Sequence, residues 1–236
     1  MSLSDAQAFV FDVFGTCVDW RTSVVKELEH FIKTTPAPDY VALANRWRQE
    51  YYISVRTYAE SQPDVFPDLD SIHRTILDSI LAEENIDLDE ASRVELNLCW
   101  HRLSPWPDTN AGLEKLSSFA ITSTLSNGNV RLLLDMKKYG GMPFDMIMSA
   151  ELFQAYKPNP KAYLGAAEML KLKPEQVCMV AAHPYDLQAA KKYGLKTAYV
   201  CRPSEDPKKQ LDFVDINADS FVQLAELVLE QKKERE

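Results

Sequence analysis

The sequence predicts an α/β protein: a doubly wound, Rossmann-like parallel sheet with a helical-bundle cap inserted after the first strand. Three observations predict it. Short apolar runs with little alternation recur in the first and last parts of the chain, amphipathic helical stretches separate the later ones, and the segment from about Arg21 to Leu103 has no strand-like run. Parallel strands covered on both faces read as such runs, and they need right-handed helical crossovers.

In order, "AFVF" stops at the carboxylate of Asp12, with a turn-forming Gly15-Thr16 just beyond. The spacing then becomes helical. Val24, Val25, Leu28, Phe31 and Ile32 share one helix face, as do Ile72, Ile76, Leu77, Ile80 and Leu81. Pro36 and Pro38 break the chain before Asp39, and Pro63 and Pro67 break it again before an Asp-led helix at Asp70-Ser71. Asp89 suits the cap of a further helix. Four helices within residues 20–104 therefore form the cap, and "SPWPD" at Ser104 returns the chain to a core of residues 1–19 and 105–236. The other strand-like runs are "FAITSTL" before Ser126, "FDMIMSA" before Glu151, "QVCMVAA" before His183 and "TAYVC" before Arg202. "RLLLDMKKYGG" and "PKAYLGAAEMLKL" supply helical crossovers, and the charged tail after Glu230 is expected to fray. Sites in such sheets lie at the carboxyl ends of strands, where Asp12, Ser126 and His183 fall.

The 236 residues are 46% hydrophobic and 26% charged, as in an ordinary globular protein. A formal net charge of -9 argues against a nucleic-acid partner, because phosphate neutralisation needs clustered Lys and Arg. Lys191-Lys192 and Lys208-Lys209 read as solvated faces. Cys17, Cys99, Cys178 and Cys201 are scattered without C-x-x-C spacing, so zinc and redox readings have no support. Two of these lie in apolar runs, where a buried free thiol is expected. Neither a signal peptide nor a run of about 18 apolar residues is present, so no membrane partner is expected and the chain reads as soluble and cytoplasmic.

Taken in order, "FDVFGT", "STLSNGN", "YKPNPKAY" and "VAAHPYDLQAA" resemble the four signature segments of the haloacid dehalogenase superfamily. "RWRQEYY" in the insert further resembles its L-2-haloacid dehalogenase (type II) branch. The resemblance runs from Asp12 to the strand at Thr197–Cys201. It implies a hydrolase that converts a short L-2-haloalkanoate to the 2-hydroxy acid and halide through a covalent aspartyl ester, with no metal or organic cofactor. The partner is then a small-molecule 2-haloacid, and the cap offers a homodimer face as in some relatives.

Asp12 is the implied nucleophile; the alternative, an Asp bonding its own turn, does not account for the matching Lys157. Thr16 would donate a hydrogen bond that orients the carboxylate, or serve as a simple turn hydroxyl. Phe14 stands where the superfamily's phosphatases carry a second Asp that protonates the leaving alcohol, and it has no titratable proton. A halide leaves as a stable anion and needs none. An ammonium from Lys157 about 4 Å from Asp12 would favour its ionised form by roughly 4 kcal/mol at an effective dielectric near 20. In the resemblance Ser126 binds the substrate carboxylate and Asn127 helps to hold the halide, although an Asn-Gly turn accounts for both residues too. Arg46 and Arg48 are two apart and project to different faces; the match to the W-R-Q pattern selects Arg48 for the halide and carboxylate cradle. Tyr163 matches a tyrosine that positions substrate or Asp12, with packing as the alternative. Tyr185 lines an apolar wall with Phe14.

The fourth segment departs from both patterns. Asp186 is present, to hold Lys157 or the hydrolytic water. Ala182 replaces the further carboxylate of magnesium-dependent phosphatases, and alanine supplies no oxygen ligand. Ala181 and His183 stand where the bacterial dehalogenases typically have Ser and Asn. As a neutral imidazole His183 would take a proton from the attacking water, a task otherwise open to Asp186; a loop histidine pinned ahead of Pro184 is the structural alternative. Two rival functions stay open: a magnesium-dependent phosphatase with an atypical metal site, and a non-catalytic binder on the same fold.

Overall fold

The structure, a computed structural model, describes residues 2–61, 66–205 and 210–234. The expected break at Pro63 and the face at Lys208-Lys209 lie outside the described residues. The chain runs through β1 (Ala8–Phe11), β2 (Val18–Asp19), the inserted helices α1 (Trp20–Phe31), α2 (Tyr40–Ser61), α3 (Leu69–Glu83) and α4 (Glu90–Asn97), a short 3₁₀ turn at Leu98–His101, and β3 (Ser104–Pro105). There follow α5 (Thr109–Ser117), β4 (Ile121–Thr124), α6 (Val130–Gly140), α7 (Ala150–Phe153), α8 (Pro160–Met169) and β5 (Val177–Ala181). The last elements are α9 (Pro184–Lys192), β6 (Lys196–Val200), β7 (Ile216–Ala218) and α10 (Phe221–Lys233).

Five parallel strands form one sheet in the order β4-β1-β5-β6-β7. From β1 the chain goes out to β4, then returns to β5 on the opposite side of β1 and continues away from it. That reversal places the topological switch between β1 and β5, where a crevice opens beyond the carboxyl ends of the strands. Asp12 leaves the sheet at the end of β1, and His183 two residues after β5.

Alternation along the central strands divides the core. Phe9, Phe11, Cys178 and Val180 join one apolar cluster, while Ala8, Val10, Val177, Met179 and Ala181 join another. Phe11 meets Phe144 and Phe221 edge-on, with ring centroids 5.6 and 5.0 Å apart; burying one such ring stabilises the fold by about 1.5–3 kcal/mol. The first cluster continues unbroken into the insert through Phe14, Trp20, Trp47, Tyr51 and Trp100. The inserted helices bury the expected faces, with Val24, Leu28 and Ile32 inside and Ile72, Ile76, Leu77, Ile80 and Leu81 likewise. Where the chain leaves for the insert and returns, β2 and β3 pair antiparallel.

Several local expectations are corrected. Asp68, not Asp70, caps α3, accepting from the Ser71 amide. Asp70 instead meets His101 Nε2 at 3.0 Å and accepts from Asn129 Nδ2 at 3.1 Å. "FDMIMSA" forms only isolated bridges, Ser123 to Met146 and Ser126 to Ser149. Side chains supplement its few backbone bonds, such as Met146 N to Thr122 O: Asp145 Oδ2 accepts from the Thr122 amide, and the Thr124 hydroxyl both accepts from Met148 N and donates to Met148 O. The edge strand β7 is three residues of "INA", too short to show an apolar run. The tail is helical through Lys233, and Lys232 Nζ donates to the carbonyls of Ser4 and Ala6. Among the described residues no helix is long and apolar enough to cross a membrane. The four cysteines are free thiols, and burial pushes Cys17, Cys99 and Cys178 up, which keeps them protonated at neutral pH.

Candidate active site

The ladder of β1 extends one residue past the strand, where the Asp12 amide donates to Val180 O. Gly15 then turns the chain with φ at +85°, and a Cβ there would stand 2.4 Å from Glu205 Oε1. The backbone conformation calls for glycine, and any side chain here would push on the Glu205 carboxylate. The turn brings the Thr16 hydroxyl back to donate to Asp12 Oδ2 at 2.8 Å, while it accepts from the Ala182 amide at 2.9 Å. Arg202 anchors the same loop, donating from Nε to Thr16 O and from Nη1 to Asp108.

Lys157 enters from the loop before α8. Its Nζ donates to Asp12 Oδ1 at 3.0 Å and to Asp186 Oδ2 at 2.5 Å. The Tyr163 hydroxyl donates to the other Asp186 oxygen at 2.5 Å. Tyr163 thus holds Asp186 rather than facing substrate. Asn127 clamps the lysine loop: its Oδ1 accepts from the Lys157 amide at 2.8 Å, and its Nδ2 reaches Lys157 O at 3.4 Å. Burial works against the Asp12 charge, but Lys157, His183 and Thr16 together hold its carboxyl well below the ordinary range. Burial likewise opposes the Lys157 charge, and Asp12 and Asp186 overcome it, raising the ammonium above its ordinary value.

His183 is flanked by two carboxylates. Its Nδ1 lies 2.9 Å from Asp12 Oδ2 and its Nε2 lies 2.8 Å from Glu205 Oε2, with the Tyr52 oxygen 3.4 Å from Nε2. Burial disfavours a charged ring, but the Tyr52 oxygen and the two carboxylates outweigh it and push the imidazole well above its ordinary value. With both ring nitrogens facing acceptors, the site favours the charged ring over the expected neutral imidazole.

A cavity of about 620 Å³ opens above Asp12, with Phe14, Arg48, Tyr51, Tyr52, Asn127, Lys157 and Tyr185 in its wall. Arg48 lies buried among aromatic rings, its guanidinium carbon 4.3 Å from the Tyr52 centroid, 4.9 Å from Tyr51 and 5.2 Å from Phe14. Its Nη2 donates to the Tyr52 hydroxyl at 2.8 Å, while Nε and Nη1 have no partner among the described residues. Arg46 faces outward to Glu50 and Glu83. Tyr185 leans on the His183 ring with centroids 5.5 Å apart. Thr16, Ser126, Tyr163, His183 and Asp186 are not in the cavity wall, Thr16 and His183 reaching the site through the Asp12 carboxylate; the Ser126 hydroxyl is fully buried and accepts from the Gly128 amide.

The donors do not fit a divalent cation. Lys157 supplies the positive charge between Asp12 and Asp186, His183 and Thr16 occupy the other Asp12 oxygen, and Ala182 carries no oxygen side chain. Among the described residues no three of His, Cys, Asp and Glu gather as a metal cluster.

Sequence reasoning missed Glu205, which accepts from Trp20 Nε1 at 2.7 Å as well as facing His183. Its position five residues beyond β6 was a usable signal, since it follows the carboxyl end of a strand, as Asp12 does. Tyr52, adjacent to Tyr51 in "RWRQEYY", was also missed.

Comparison with known proteins agrees with this geometry. The family model for haloacid dehalogenase-like hydrolases matches residues 6–194. The (S)-2-haloacid dehalogenase 4A of Burkholderia cepacia is 29% identical over 205 residues, 86% of either chain. A solved defluorinating L-2-haloacid dehalogenase superposes with a TM-score of 0.87 at 39% identity, covering 95% of both chains. Another solved L-2-haloacid dehalogenase gives 0.86 at 39% identity, covering 94% of this chain and 98% of its own. With the ordered motifs, the parallel sheet and its helical insert all in agreement, the chain belongs to the haloacid dehalogenase-like hydrolases, in their L-2-haloacid dehalogenase branch.

Proposed function

We propose that the protein is a hydrolytic dehalogenase that converts a short L-2-haloalkanoate to the 2-hydroxy acid and halide through an ester on Asp12. The observation that carries this reading is a pairing across one cavity: an ionised Asp12 on one side, and a buried Arg48 with two unpaired N–H positions on the other. Arg48 binds the substrate carboxylate and the departing halogen among the rings of Phe14, Tyr51 and Tyr52. Asp12 attacks the halogen-bearing carbon from the opposite side, halide leaves with the bonding pair, and that centre inverts. Lys157 holds the nucleophile in line, which supplies much of the acceleration. Water then attacks the carbonyl carbon of the ester. His183 stands 2.9 Å from Asp12 as its base, whereas both Asp186 oxygens are occupied by Lys157 and Tyr163. Asn127 and Tyr163 act by fixing Lys157 and Asp186. Phosphoryl transfer is disfavoured because Phe14 has no proton for a leaving alcohol and Ala182 offers no oxygen to a metal.

The same proposal divides the chain into a core of residues 1–19 and 105–236 and a cap of 20–104, with the β2–β3 pair at the crossing. It also includes a homodimer through the cap, which sedimentation checks against the monomer's 26.9 kDa.

The test is single-turnover hydrolysis of 2-chloropropionate in oxygen-18 water with chelator present. Label should appear in the Asp12 carboxylate and not in the first product; label passing directly into the hydroxy acid overturns the ester. Arg48→Lys, which keeps charge but loses the planar fork, should raise KM for 2-chloropropionate about 10- to 100-fold. An unchanged KM in initial-rate assays removes Arg48 from the cradle.

A further inference from the structure

We propose that Glu205 is a positioning residue that turns His183 into a base only after Asp12 has been esterified. The inference rests on the dehalogenase reading and concerns its second half. In the resting site His183 lies between Asp12 and Glu205, and the second Glu205 oxygen accepts from the Trp20 indole at 2.7 Å. Glu205 is thereby fixed from the first residue of α1, and Gly15 leaves the space it fills. Of the other groups around the ring, Tyr52 and Arg48 come from α2, Tyr185 from α9, and Lys157 lies on the far Asp12 oxygen.

Esterification removes one of the two charges that hold the imidazolium. Asp12 gives its electron pair to carbon and becomes a neutral ester; halide takes the bonding pair of the broken carbon–halogen bond. The ring then faces a single carboxylate, Glu205, and releases the Nδ1 proton to solvent. Because Glu205 accepts from Nε2–H, the neutral tautomer has its lone pair on Nδ1, toward the ester. Nδ1 takes a proton from the attacking water, then gives it to the alkoxide oxygen as the tetrahedral adduct collapses. The carboxylic acid left on Asp12 passes its proton back to Nδ1. One substrate and one water yield hydroxy acid, halide and one proton, and the resting pair is restored. A base made by the first step cannot act before it.

Glu205→Gln keeps the size of the side chain and removes its charge. Rapid-quench measurement on 2-chloropropionate with the full-length protein should show a chloride burst retained at one per enzyme. Steady-state turnover should fall about 10²-fold, with the Asp12 ester accumulating by intact mass. The acid limb of ester hydrolysis should move down by about one pH unit, since a carboxylate that favoured the imidazolium is gone. Trp20→Phe, which removes the donor to Glu205 and trims a ring packed on Trp100, should slow ester hydrolysis while the chloride burst is retained, and it carries the test if Glu205→Gln fails to fold. Unchanged turnover and acid limb, or a burst that slows in step with turnover, overturns the proposal. A wild-type enzyme that releases no chloride from 2-chloropropionate defeats the dehalogenase reading beneath it, a result distinguishable because it needs no variant.

Discussion

Asp12→Asn should abolish chloride release from 2-chloropropionate, with turnover at least about 10⁴-fold below wild type. The amide has no anionic oxygen to displace halide, while Arg48 and the cavity wall stay in place, so binding of the haloacid by calorimetry should persist. A non-catalytic binder would be indifferent to the change. The same variant carries a stability signature. Asp12 has a folded-state carboxyl held below its ordinary value by Lys157 and its neighbours, so its ionised form contributes stability above the unfolded value of about 3.9. That contribution is lost as pH falls toward the folded value. Urea unfolding should therefore find Asp12→Asn less stable than wild type at pH 7, with the gap narrowing below about pH 4.

Lys157→Met should have the larger effect on the fold. The ammonium is 5% exposed and lies between Asp12 and Asp186. Removing it leaves two buried carboxylates without their shared cation, a loss of about 3–5 kcal/mol for a broken buried pair. Met fills a similar volume, so packing contributes little to that figure. Without Lys157 the folded-state carboxyls rise, because burial and mutual repulsion are then opposed by less. The sign of the pH dependence follows: the deficit is greatest at neutral pH and shrinks on acidification, as the carboxyls protonate in the folded state. Unfolding midpoints at pH 7 and pH 5 read this directly. A deficit independent of pH would mean that Lys157 acts through packing. Chloride release should also be lost, since the nucleophile is no longer held ionised and in line.

How much of the site was legible depended on where each residue's partners lie in the chain. Asp12 stood out as a carboxylate ending an apolar run, a local feature, whereas Lys157 and Arg48 were singled out by their match to ordered motifs, since locally they read as a surface lysine and a solvated helix arginine. Asn127 was legible as a site residue but not as the clamp on the Lys157 backbone, which depends on a loop 30 residues away. Ser126 and Tyr163 were placed near the chemistry by motif, and the structure sets both outside the cavity wall. "FDMIMSA" read as a full strand because its apolar run is real, yet it pairs only through isolated bridges, with the Thr124 hydroxyl and the Asp145 carboxylate supplementing a few backbone bonds.

Apolar periodicity, breaker positions and motif order determined by themselves the parallel sheet, the helical insert and the acidic residue at the mouth of the first strand. These follow from contiguous stretches, where side-chain period and turn chemistry act locally. Only the tertiary structure decided that His183 sits between two carboxylates, Asp12 and Glu205. Asp12 lies 171 positions from His183, and Trp20 lies 185 from Glu205. A proton's location is set by whatever stands within hydrogen-bond distance, and folding alone brings those distant groups together.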